Sequence, residues 1–371
     1  MAINDNREAF NERSAAAFFR PEITTLPAYI AGKPSPDPSV IKVASNEMPF
    51  PTIPSVQEAM AEHLADMARY PDMMASGLAG DIARQLGVSV ESVVVGNGSV
   101  ALIERILADF TGPGTEVVMP WRSFESYPIA IQMAGARAVS VPLRSDGNCD
   151  LRAMLAAVTD RTRAVLVCTP NNPTSAALTH SELRFFLMQL PPHIPVLIDE
   201  AYGDFVRMED PVRGLELVRE FPNAISLRTF SKAYGLAALR CGYAIAAPEV
   251  VKLMRSSLTP FGVSALAQVA ARAALAERAE VDRRVEIVVQ ERGNLVNALA
   301  ALGWDGPKPQ GNFVWFGCGE DSERFAQVCE QHKIVVRTFK GEGVRVTVAE
   351  PEAQLRLVRA YSAWKEGRGD F

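Results

Sequence analysis

The pattern of apolar and polar positions becomes readable from Pro54 onward. Ser55 and Glu58 have the spacing of a capping box, and Val56, Met60, His63, Leu64 and Met67 then recur with helical period, which predicts an amphipathic helix. A second helix is predicted around Leu78, Ile82 and Leu86, ending at Gly87. Short β-branched runs follow, separated by helical stretches: VVVG at 93–96, TEVVM at 115–119, RAVSV at 137–141, AVLVC at 164–168, PVLID at 195–199, AISLRT at 224–229 and GYAIAA at 242–247. They are continuously apolar and do not alternate, as expected of strands buried on both faces. The reading is an α/β large domain, a mostly parallel sheet with helices on both faces.

After Pro248 the order changes. Two long helical patterns, at about 263–278 and 281–302, lead into FVWFG, IVVRTF and GVRVTVA and a final helix after Glu350, an α+β arrangement. The expected organisation is residues 1–50 as an N-terminal arm and part of the small domain, 51–250 as the large domain and 251–371 as the small C-terminal domain.

A chain of 371 residues, at roughly 150 per domain, should form two or three compact units. With 48% hydrophobic and 22% charged residues it is neither disordered nor collagenous. Its 38 basic and 43 acidic residues leave a net charge of -5, so there is no electrostatic footprint for nucleic acid. The expected partners are small molecules and a second copy of the chain. The five cysteines form no Cys-x-x-Cys pair and the four histidines never fall at ligand spacing, so no metal site is expected. The segment MAINDNREAFNERS lacks the apolar core of a signal peptide, and no apolar run approaches the ~20 residues that span a bilayer. The expectation is a soluble, cytoplasmic protein with no membrane partner.

Lysine is scarce, and Lys232 is alone between residues 43 and 251. It sits in LRTFSKAYGLAALRCGY just after a predicted strand, with Thr229 and Ser231 before it and Arg240 after it. Other chemistry-bearing segments also fall at strand ends: GNGSVALIE after Gly96, TPNNPTS at Thr169 and IDEAY at Asp199. In an open parallel sheet ligands bind at the carboxyl ends of strands, so these segments are expected to converge. Gly96, Gly98 and Ala101 also match the dinucleotide fingerprint, but the acidic residue it requires at the end of the next strand is missing, which argues against nicotinamide binding.

Lys232 in SKAYGLAALR, Asn172 in NNPTS, Asp199 and Tyr202 in DEAY and Arg345 in RVT stand in the order and approximate spacing of a known family. Over nearly its whole length the chain resembles the fold-type I, pyridoxal-phosphate-dependent aminotransferases. RPEITTLPAYIAGK, ASNEMPFP, RYPD and VRVTVAEPE are most similar to the histidinol-phosphate branch. The resemblance implies that Lys232 forms a Schiff base with pyridoxal 5'-phosphate and then moves the substrate proton. It implies that Asp199 keeps the pyridine nitrogen protonated, that Tyr202 and Asn172 bond the ring oxygen, and that Phe124 stacks on the ring. The phosphate would be held by the N–H groups of Ser99 and Val100, the hydroxyls of Thr229 and Ser231, and Arg240. Tyr70 resembles a tyrosine that reaches the phosphate across a dimer interface, implying a homodimer with shared sites.

For the substrate, the resemblance assigns Arg345 to a carboxylate, or, in the histidinol-phosphate enzymes, to a phosphate together with Arg337 and Tyr29. Asn46 opens the stretch Asn46–Pro51, where that branch usually has NENPYG, and Phe50 replaces its tyrosine. Trp121 in WRSFESY resembles the aromatic-amino-acid aminotransferases. Phe50 and Trp121 are therefore expected to line an aromatic pocket. The expected reaction is transamination between an aromatic amino acid and a 2-oxo acid such as 2-oxoglutarate, with histidinol-phosphate transamination as the alternative.

Overall fold

The structure is a computed structural model that describes residues 16–27 and 37–367. The strands begin with β1 (Ile41–Lys42), β2 (Val93–Gly96), β3 (Glu116–Trp121), β4 (Arg137–Pro142), β5 (Thr162–Cys168), β6 (Val196–Asp199), β7 (Ala224–Thr229) and β8 (Gly242–Ile245). They end with β9 (Phe313–Phe316), β10 (Ile334–Val335), β11 (Arg337–Phe339) and β12 (Gly343–Thr347). The central sheet has the order β2-β8-β7-β6-β5-β3-β4. Its pairs are parallel except those of β8, which runs antiparallel to both neighbours.

The absence of alternation in the strand sequences has a direct cause in the packing. Val117, Leu166, Leu197 and Leu227 point into one apolar layer, while Val118, Val165, Val167 and Ile198 point into the other. Each fully buried Val, Leu or Ile contributes about 1.5–3 kcal/mol of apolar transfer free energy. Both faces of the inner strands are thus covered, and the polar strand-end residues are confined to the carboxyl ends of the strands. Strand β4 corrects the sequence reading, because at the edge of the sheet only Val141 of Arg137–Pro142 is buried.

Among the helices used below, α1 is Pro54–Glu62, α2 is Ser76–Leu86 and α3 is Ser99–Phe110. Helix α2 ends as expected on Gly87 in the left-handed region. Helix α1 corrects the sequence reading. It starts at Pro54, whose missing N–H costs nothing in a first turn, with Ile53 at its N-cap. Ser55 therefore lies inside the helix and donates instead to Glu277 Oε1 at 2.7 Å. The helix gives way at His63 to a single 3-10 turn, leaving Leu64 and Met67 exposed. A capping box is present instead at Thr179 and Glu182.

A second sheet, β11-β12-β9, is antiparallel. Strand β1 pairs with β10, and Val43 O accepts from Thr347 N at 2.8 Å, which ties residues 41–46 to this part of the chain. Among the described residues no helix is long and apolar enough to cross a membrane, and no cluster of His, Cys, Asp or Glu is placed to hold a metal ion.

Candidate active site

The carboxyl ends of β2, β3, β5, β6 and β7 open onto one cavity of about 380 Å³, closed from the other side by residues 44–45 and the β11–β12 pair. Its lining includes Ser99, Val100, Phe124, Asn172, Asp199, Tyr202, Thr229, Ser231, Lys232, Arg240, Arg337 and Arg345.

One end is built for an anion. Helix α3 begins at Ser99, and Gly98 before it has no side chain to cap the first N–H groups. Gly98 has φ of 88°, and a Cβ there would stand 2.7 Å from Arg240 Nη2. Only glycine permits both the left-handed backbone and that approach. Arg240 Nη1 donates to Ser231 Oγ at 3.2 Å and to Ala237 O at 2.9 Å. Thr229 Oγ1 accepts from Ser231 N at 3.1 Å, which folds the two hydroxyl residues into one turn. Gly242, the first residue of β8, lets that strand pass so close that a Cβ would sit 2.6 Å from Ser99 N.

The floor carries a buried acid. Asp199, the last residue of β6, is 4% exposed. Tyr127 donates to its Oδ2 at 2.7 Å and Ala201 N to its Oδ1 at 3.1 Å. Burial raises its pKa above the ordinary carboxylate value, opposed by those two hydrogen bonds and by the charge of Lys232. Burial likewise pushes the Tyr202 hydroxyl up, so it stays protonated.

Lys232 lies between these ends. Its Nζ donates to Ser45 O at 3.0 Å and Asn46 O at 3.2 Å. Burial, reinforced by the charge of Arg345, lowers its pKa from 10.5 to about 7, against the opposing pull of Glu47. A large fraction of the amine is therefore neutral at physiological pH. Asn46, held in the left-handed region at φ of 54°, also donates from Nδ2 to Tyr202 Oη at 3.0 Å.

At the remaining end Arg337 and Arg345 face each other directly across β11 and β12, each 8% exposed. Arg345 donates to Asn172 Oδ1 and to Ala44 O, both at 2.6 Å. Arg337 pairs with Glu125 Oε2 at 2.6 Å.

Other sequence-derived candidates fall elsewhere. Phe50 packs against the core under the Arg284 guanidinium, 5.4 Å from its ring centre, and Trp121 lies under Arg122 at 4.1 Å. Neither is among the residues lining the cavity, because each turns to cover an arginine. Tyr70 is 83% exposed and stacks on Phe261 with centroids 4.7 Å apart, away from the cavity of its own chain. Tyr29 lies outside the described residues. Sequence reading missed Tyr127 and Glu125, although both are in the WRSFESY stretch; the signal was a tyrosine and an acid within one turn of Phe124.

The donor set suits a phosphorylated pyridine aldehyde. Hydroxyls, a guanidinium and a helix N-terminus gather at one end, a buried carboxylate lies at the floor, and an amine with its pKa lowered to about 7 lies between them.

Comparison with known proteins agrees with this geometry. Residues 38–360 match the family model for aminotransferase class I and II. An aromatic amino acid aminotransferase of Thermobifida fusca is 47% identical over 93% of this chain and 97% of its own. One of Streptomyces coelicolor is 46% identical over 90% and 94%. The crystal structure of histidinol-phosphate aminotransferase from Sinorhizobium meliloti, in complex with pyridoxal-5'-phosphate, superposes with a TM-score of 0.84. It is 26% identical and covers 94% of this chain and 98% of its own.

Proposed function

The chain belongs to the class I and II aminotransferases, and on that premise we propose that it exchanges an amino group between an aromatic amino acid and a 2-oxo acid such as 2-oxoglutarate, using pyridoxal 5'-phosphate. The observation that carries the chemistry is Lys232, an amine with its pKa lowered to about 7, set in one cavity with the buried carboxylate of Asp199. The aromatic donor rests on the relatives at 46–47% identity.

When bound, the cofactor supplies an aldehyde that joins amino groups and a ring that draws electrons from the substrate Cα. Lys232 would be the base that takes the proton from the substrate Cα and passes it to the carbon that carried the cofactor's aldehyde, a task for which its neutral form is required. Asp199 holds a proton at the ring nitrogen, and Tyr127 and Ala201 hold Asp199. Tyr202 already accepts from Asn46, so its own hydroxyl hydrogen remains to be donated into the cavity. Asn172 accepts from Arg345, which leaves its amide N–H groups as donors. Phe124 offers a flat face for stacking. Ser99 N, Val100 N, Thr229, Ser231 and Arg240 hold the phosphate. Arg345 orients the substrate carboxylate.

Tyr70 fits the same reading on a homodimer, where its exposed ring would serve the neighbouring subunit's site. A cytoplasmic setting fits the absence of a long apolar helix among the described residues.

Histidinol-phosphate transamination is favoured by one observation, the two arginines opposed across β11 and β12. The two readings separate on specificity constants with 2-oxoglutarate as acceptor. Phenylalanine, tyrosine or tryptophan should be preferred to histidinol phosphate, and the reverse preference would overturn the aromatic assignment. Borohydride trapping with peptide mapping should put the cofactor on Lys232.

A further inference from the structure

Two buried arginines directly opposite each other on an antiparallel pair repel, and such a pair needs a counter-charge. Glu125 supplies one. Its carboxylate meets Arg337 at 2.6 Å inside the wall of the cavity, and both residues line it. Two guanidiniums and one carboxylate leave this end of the site with a net charge of one positive unit, where the arginines alone would give two.

The carboxylate is held in place. Glu125 immediately precedes the helix Ser126–Met133, where the positive end of the helix dipole favours an anion. Arg122, three residues earlier, forms an ion pair with Glu342 in the turn between β11 and β12. The Phe339 ring has the guanidiniums of Arg122 and Arg337 each at 5.4 Å from its centre. The segment carrying Phe124 and Glu125 is therefore tied at two points to the strands that carry Arg337 and Arg345, and Glu125 cannot be withdrawn without breaking charged contacts.

We propose that Glu125 is a specificity-determining residue, a fixed carboxylate that occupies Arg337 and so discriminates against amino donors bearing a phosphate ester. This rests on the transamination reading above. An amino acid brings a single negative charge to this end, which the net positive unit matches. A phosphate monoester brings about 1.5 to 2 negative charges at neutral pH. It must then either displace Glu125 or lie beside it, and like charges at that distance in a half-dry cavity repel strongly.

The test uses the holoenzyme and Glu125→Gln, which keeps the shape and removes the charge. Specificity constants are measured for phenylalanine and for histidinol phosphate, with 2-oxoglutarate held at one saturating concentration so that only the amino donor varies. The ratio of histidinol phosphate to phenylalanine should rise at least about tenfold, through a lower KM for the phosphate ester. An unchanged ratio, or a rise carried by kcat alone, overturns the proposal. Should Glu125→Gln fail to fold, Glu125→Asp draws the carboxylate back by one methylene and should shift the ratio in the same direction, and no shift there overturns it equally. Failure of the underlying reading looks different: the wild-type holoenzyme itself would not turn over phenylalanine.

Discussion

The hydroxyl of Tyr127 donates to Asp199 Oδ2 at 2.7 Å, and both side chains are almost wholly enclosed. This bond opposes the burial that raises the Asp199 pKa, and so helps the carboxylate stay charged where a cationic ring nitrogen would meet it. A hydrogen bond to a charged group contributes about 1.5–3 kcal/mol. In Tyr127→Phe the Kd for pyridoxal 5'-phosphate should therefore rise by about tenfold or more, measured by absorbance titration of the cofactor-free protein. Unchanged affinity would show that Asp199 does not need this support.

Lys232 gives a prediction in pH. Its pKa is lowered to about 7, so in cofactor-free protein its reaction with an amine-selective reagent, followed by peptide mapping, should have its midpoint near pH 7 and not near 10.5. The same shift has a sign in stability. The unfolded chain binds more protons at this site between about 7 and 10.5, so this lysine's cost to folding is full below about 7 and fades as pH rises through that window. Chemical denaturation of cofactor-free wild type and Lys232→Met should show the variant's advantage shrinking over the same range.

Gly98→Ala probes the anion end without removing a donor. The added Cβ would stand 2.7 Å from Arg240 Nη2 on a backbone with φ of 88°, a strain of roughly 1 kcal/mol or more before any clash. Affinity for pyridoxal 5'-phosphate should fall about tenfold, while that for unphosphorylated pyridoxal changes little, since only the phosphate contacts are disturbed. Gly112→Ala, with nothing within 4 Å of the added atom, is the control.

Arg345 donates through two of its nitrogens to Asn172 and Ala44, a geometry that a lysine cannot copy. Arg345→Lys should raise the KM for phenylalanine by about tenfold or more, with a smaller change in kcat. A normal KM would mean that the carboxylate is bound elsewhere.

Tyr70 tests the shared site. Its ring is 83% exposed and meets Phe261, so within one chain the hydroxyl has no bearing on the cavity. If a second subunit brings it to the phosphate, Tyr70→Phe should weaken cofactor binding by about tenfold at unchanged stability and unchanged sedimentation. Full affinity in the variant would remove Tyr70 from the site.

The chain order of the central-sheet strands, the two-sided burial of the inner ones and the strand-end position of Asn172, Asp199, Thr229 and Lys232 could be read from the sequence, because apolar runs and turn residues act over a few neighbours. The exposure of β4 could not, because it follows from that strand's place at the sheet edge. The positive φ of Gly98 at the start of α3 was found only in the structure. What needed the tertiary structure was the direction of side chains between elements distant in the chain. Phe50 and Trp121 looked like pocket walls and instead cover arginines, Ser55 looked like a cap and instead bonds Glu277, 222 positions away. Tyr127 and Glu125 acquire their partners only when β3 and the following helix are laid against Asp199 and Arg337, 72 and 212 positions distant. Local period records which residues are apolar, whereas charge pairing and burial depend on which strands the sheet order makes neighbours.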